Sequence, residues 1–231
     1  MFLAVIDQST RFRDDLAQRA VVACAAQLRL HVAPAWDMVP ASVVWYPFED
    51  AAPEGADLLV ILDDADQAKT LGYHDVTPKG SAYARVFAGP VYDAGGTGLR
   101  GSLSVSATLS HEVCEWFGDR FVNLWADNGR GTKYAVELCD PVQEDAYELD
   151  GVAVSNFVTK RYFDYLAPPG TKFDYMGKLK EPFTMTPGGC VMIQRSGKVR
   201  NHYGRRFPEW RKQVKKHPAA RSARRMRQGG E

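Results

Sequence analysis

Long apolar runs are missing from this chain, and without one it has no helix that could cross a bilayer, which takes about 20 consecutive apolar residues. The opening Met1-Phe2-Leu3-Ala4-Val5-Ile6-Asp7 lacks the charged and apolar regions of a secretory signal, so the sequence reads as cytoplasmic, with no membrane partner. Cysteine is scarce as well. Cys24, Cys114, Cys139 and Cys190 show no paired spacing, which argues against a disulfide framework and for reduced thiols. A complete nucleotide loop is also absent: Asp93-Ala94-Gly95-Gly96-Thr97-Gly98-Leu99 is glycine-rich but has neither the Lys-Ser/Thr ending nor the dinucleotide pattern, and reads as a flexible loop. Asp63-Asp64-Ala65-Asp66 reads as a polar turn, with cation binding as the alternative.

What is present suffices for one domain with an appendage. The chain has 231 residues, of which 45% are hydrophobic and 11% aromatic, enough to bury a substantial core. Residues 13–30 repeat Leu16, Ala20, Val21, Ala23, Cys24 and Leu28 at helical spacing. Residues 42–48 read as a strand ended by Pro47, residues 57–62 as a buried strand, and residues 82–89 as an alternating edge strand. A helix is predicted over 103–124, a hairpin turning at Asp150-Gly151 and a short strand over 190–194. The fold class is α/β (α+β), a mixed twisted sheet with helices.

The predicted helix over 103–124 carries Ser110-His111-Glu112-Val113-Cys114-Glu115-Trp116. Residues four apart on a helix share one face, so His111 and Glu115 can grip one ion while Glu112 points beside it. A hydrolytic zinc takes three protein ligands and leaves a position for water, whose pKa falls toward roughly 7, and an adjacent carboxylate then serves as general base. Glu112 fits that base, and His111 and Glu115 fit two ligands. A third ligand must come from elsewhere; Tyr134-Ala135-Val136-Glu137-Leu138-Cys139-Asp140-Pro141 follows, with Glu137 the leading candidate. Cys114 and Cys139 are alternative zinc ligands or, more simply, small core residues.

This arrangement resembles the gluzincin branch of the zincin metallopeptidases, with glutamate in place of the second histidine of H-E-x-x-H. The resemblance implies a peptidase that uses zinc, or another divalent metal, on a peptide or protein substrate. It implies His111, Glu115 and Glu137 as metal ligands, Glu112 as the catalytic base and Asp140 as the aspartate that hydrogen-bonds a ligating histidine. It also implies an element order of helix, twisted sheet, edge strand along the substrate, then motif helix. Glu115 departs from the family pattern: with Glu137 it would put two negative charges on the ion, which favours harder metals. Tyr134, Tyr147 and Tyr162 are candidates for stabilising an oxyanion.

The net charge of +1 hides an uneven distribution. From Gln194 onward thirteen basic residues face two acidic ones, a net +11, which leaves −10 for the preceding residues. The division read from this is a metal-binding domain over 1–193 and a basic tail over 194–231, partly disordered when alone. Arg205, Arg206, Arg211, Lys212, Lys215 and Lys216, interleaved with Tyr203, Phe207 and Trp210, suit phosphates and stacked bases, or an acidic protein surface. Such a motif joined to such a tail resembles short bacteriophage and prophage proteins, so the alternative to a hydrolase is a non-catalytic virion or assembly protein that keeps the zincin fold and is found in the host cytoplasm or the virion.

Overall fold

The computed structural model describes residues 1–66 and 70–207. The chain enters through β1 (Phe2–Asp7), whose run from Leu3 to Ile6 is wholly buried. Helix α1 (Asp14–Gln27) follows, with Asp14 and Asp15 complementing the positive end of its dipole. A π-helical turn (Leu28–Val32) carries it into α2 (Ala33–Trp36), and Asp37 in the left-handed conformation ends the helical run.

Four more strands complete the main sheet: β2 (Ser42–Tyr46), β3 (Asp57–Leu62), β4 (Gly72–Val76) and β5 (Ala82–Phe87). Their order is β2-β1-β3-β5-β4, parallel throughout except that β4 runs antiparallel to β5. This corrects one expectation. The 82–89 strand was predicted at the edge, but β5 lies between β3 and β4, and its alternation arises because Ala82, Ala84 and Val86 are buried under a helix. The edge strand on this side is β4, whose Gly72-Tyr73-His74-Asp75-Val76 has no apolar alternation to announce it.

After α3 (Ala88–Asp93) comes the motif helix α4 (Val105–Gly118), shorter than predicted. Ser104 caps its start, its Oγ accepting from the Ala107 N–H at 3.1 Å. Gly118 ends it where a Cβ would lie 2.0 Å from Leu138 Cδ1. Asp119 then accepts the N–H groups of Asn123 and Leu124, so the chain turns away. Helices α1 and α4 touch each other and lie on one face of the sheet, α1 over β1 and β2, α4 over β4 and β5. Trp116 and Arg120 both donate to Asp57, the first residue of β3, tying the end of α4 to the sheet.

The rest of the chain adds two further sheets. Strands β6 (Trp125–Asp127), β7 (Thr132–Ala135), β10 (Cys190–Arg195) and β11 (Lys198–Tyr203) form an antiparallel sheet in the order β11-β10-β7-β6. Between them lies the predicted hairpin, β8 (Ala146–Leu149) and β9 (Val152–Ser155), turning through Asp150 (φ 50) and Gly151 (φ 74), the two left-handed residues that match strand twist. Strand β9 is stitched to α4: the Ser155 N–H donates to Ser110 Oγ at 2.6 Å, and Ser106 Oγ donates to Ala153 O at 2.8 Å. The boundary drawn between residues 193 and 194 falls inside β10, and the packed body continues through β11 to the buried Phe207. Arg205 and Arg206 are exposed at that end, whereas Arg211, Lys212, Lys215 and Lys216 lie outside the described residues. No helix among the described residues is long and apolar enough to cross a membrane.

Candidate metal centre

Four carboxylates and two imidazoles meet at the contact between α4, the edge strand and the turn after Glu137. Glu112, Glu115, Glu137 and Asp140 are buried, as is His74, and His111 is nearly so. On α4, His111 Nε2 stands 3.1 Å from Glu115 Oε1, as spacing of four residues requires. Asp140 opens a 3₁₀ turn (Asp140–Val142), and its Oδ1 comes to 3.7 Å from the same His111 nitrogen. From the sheet, His74 Nδ1 lies 3.4 Å from Glu115 Oε2 and 3.7 Å from Glu112 Oε2.

Among the described residues two trios of donors can hold a metal ion: His111, Glu115 and Asp140, and His74, Glu115 and Glu137, each with its ligand atoms within 4.8 Å of one another. The spacing-based trio of His111, Glu115 and Glu137 is thus divided. Glu115 belongs to both groups, Asp140 stands with His111, and Glu137 stands with His74. No cysteine enters either group. Cys114 Sγ contacts Gln27 Oε1 at 3.6 Å, and burial pushes the Cys139 thiol well above its usual range, which keeps it protonated.

The donors suit a divalent cation. Each trio offers one imidazole nitrogen and two carboxylates, and in a buried pocket such carboxylates repel one another unless a cation or proton intervenes. Glu112 Oε2 is buried without a hydrogen-bond partner among the described residues, as fits a carboxylate that meets a cation. At His111 burial favours the neutral ring, but the adjoining Glu115 charge and hydrogen bond, with Glu112 and Asp140 behind them, outweigh it and raise its pKa above the usual histidine value.

His74 belongs to no motif in the sequence. Strand register explains its position: His74 pairs with Ala84 of β5, and paired residues share a face, so the small alanine leaves room for the imidazole beneath α4. Two residues earlier, a Cβ on Gly72 would lie 2.9 Å from Glu112 Oε1 and 3.0 Å from Thr108 Cγ2, so glycine is what lets the edge strand approach the motif helix. In the sequence the available signal was no more than a histidine two residues after a glycine, in a segment without apolar alternation.

A cleft of roughly 380 Å³ opens in front of His111 and Glu112. Leu71 and Gly72 form its sheet side, Ala107 and Thr108 its helix side, and Gln143 to Ala146 the opposite rim. None of the three candidate tyrosines lines it. Tyr147 holds Gln27 and His31 through its hydroxyl, Tyr162 donates to Thr184 O at 2.7 Å, and Tyr134 packs on Phe183. Asp63 accepts from Ser9, Thr10 and the Arg11 N–H, so the acidic turn organises the loop after β1. In comparisons with known proteins the chain matches no family model, no curated protein and no solved structure.

Proposed function

We propose that the protein is a metal-dependent hydrolase that cleaves a peptide bond, with His111, Glu115 and Asp140 holding the ion and Glu112 moving the proton. The observation that carries this reading is that His111 Nε2 faces both Glu115 Oε1 and Asp140 Oδ1 at the floor of a cleft whose wall includes Glu112. Two ligands of one tetrahedral ion lie roughly 3.3–3.4 Å apart when each bond is about 2.0–2.1 Å, and both separations are close to that. Asp140 here takes a ligand's place rather than that of a hydrogen-bonding support.

When bound, the ion would polarise a carbonyl and acidify a water. Glu112, one residue from His111 and on the cleft wall, would take the proton from that water and return it to the leaving amine. The antiparallel edge strand β4 begins at the cleft, so an extended peptide could add along it by backbone hydrogen bonds. The order helix, sheet strands, antiparallel edge strand, motif helix supports the zincin resemblance, although the edge strand precedes rather than follows the last parallel strand in sequence. Two carboxylates with one histidine make zinc the first choice, and a harder divalent ion such as manganese the next.

Glu112→Gln preserves shape and removes the base. Metal content should then persist while hydrolysis of a peptide substrate falls by a factor on the order of 10²–10⁴. Undiminished turnover would remove Glu112 from the chemistry, and bound metal with no turnover in the native chain would favour the structural, non-catalytic alternative.

A further inference from the structure

Glu115 turns its two oxygens to two different histidines. Oε1 faces His111 Nε2 at 3.1 Å, and Oε2 faces His74 Nδ1 at 3.4 Å. A carboxylate that only orients one ligand needs one such contact, whereas a carboxylate shared between two cations presents one oxygen to each. On the His74 side the donors do not end with Glu115: Glu137 completes a trio whose ligand atoms lie within 4.8 Å of one another. Glu112 Oε2, from a side chain 4% exposed and without a hydrogen-bond partner among the described residues, lies beside this trio, 3.7 Å from His74 Nδ1.

From this geometry we infer a second metal position, formed by His74, Glu115 and Glu137, so that Glu115 bridges a pair of divalent ions. The inference rests on the proposed His111 site but uses residues from a different element, the edge strand. Charge balance favours the pair. Four carboxylates share this buried space with two imidazoles, and buried charge of one sign is costly unless cations offset it. Glu112 keeps its role as base in both arrangements, because its Oε1 lies toward Gly72, on the cleft side.

Bridging has consequences a single site lacks. Two ions held through one carboxylate lie close enough for magnetic exchange and can clamp both oxygens of a displacement. The strongly carboxylate donor set directs the second position toward an oxygen-preferring ion such as Mn²⁺.

Metal-free protein equilibrated with Mn²⁺ and measured for bound metal and by electron paramagnetic resonance gives the test. Two ions per chain with an exchange-coupled spectrum are expected for the native protein. His74→Ala and Glu137→Gln should each retain one ion with the six-line signal of isolated Mn²⁺, as should His111→Ala. One ion in the native protein, lost in His111→Ala and kept in His74→Ala, overturns the second position and leaves the hydrolase reading intact. Two ions that survive both His74→Ala and Glu137→Gln overturn it too. No bound ion in the native protein overturns both.

Discussion

Glu115 decides the character of the centre at the residue scale. A histidine in its place would give one nitrogen to one ion, whereas the carboxylate offers two oxygens, and both are engaged by histidines. Asp7 gives an independent test of how burial sets charge in this protein. At the carboxyl end of β1, burial raises its pKa to about 7, against the Ser9 N–H and with the Asp14 and Asp63 charges adding to the rise. Because the folded pKa lies above the unfolded value of 3.8, the stability it contributes is complete below about pH 4 and is lost as pH rises through about 7. Asp7→Asn should therefore stabilise the protein at pH 8 relative to pH 4 by about 1–2 kcal/mol, after discounting for the solvent that reaches this half-buried group, as measured by denaturant midpoints. The facing pair His111 and Glu115 on one helix was legible from spacing alone, because a helix fixes which residues share a face. The choice between Glu137 and Asp140 was not, because it depends on how the chain turns after Ala135.

Elements meet at this centre through close packing that single glycines permit. Gly72→Ala would push Thr108 and Glu112 away from the edge strand, so metal affinity should fall and stability drop by about 1–3 kcal/mol, read by metal titration and thermal unfolding together. At the other end of α4, Arg120→Ala leaves Asp57 buried with, among the described residues, the Trp116 N–H as its remaining side-chain partner. A loss on the order of 2–4 kcal/mol is expected by the same unfolding measurement. Periodicity made α1, α4, β3 and the hairpin readable, since each buries one face or runs unbroken through the core. It could not reveal β4, because an edge strand bearing a buried histidine and aspartate is selected by what it holds and carries no apolar alternation. For the same reason an alternating strand, β5, was assigned the edge.

The whole molecule joins an acidic body to a basic end, and the second sheet places the join later than charge alone suggested. Truncation after Gly197 would remove β11 and uncover β10, lowering the melting temperature by about 5–10 °C. If the tail serves nucleic acid, only the full chain should bind, with affinity falling by about 0.9 on a log–log salt plot for each phosphate contacted on a duplex. The central claim concerns the metal, and anomalous diffraction from crystals grown with zinc tests it most directly. The account predicts a peak roughly 2.0–2.2 Å from His111 Nε2, Glu115 Oε1 and Asp140 Oδ1. Crystals with zinc in excess that show no peak at these three atoms would contradict it.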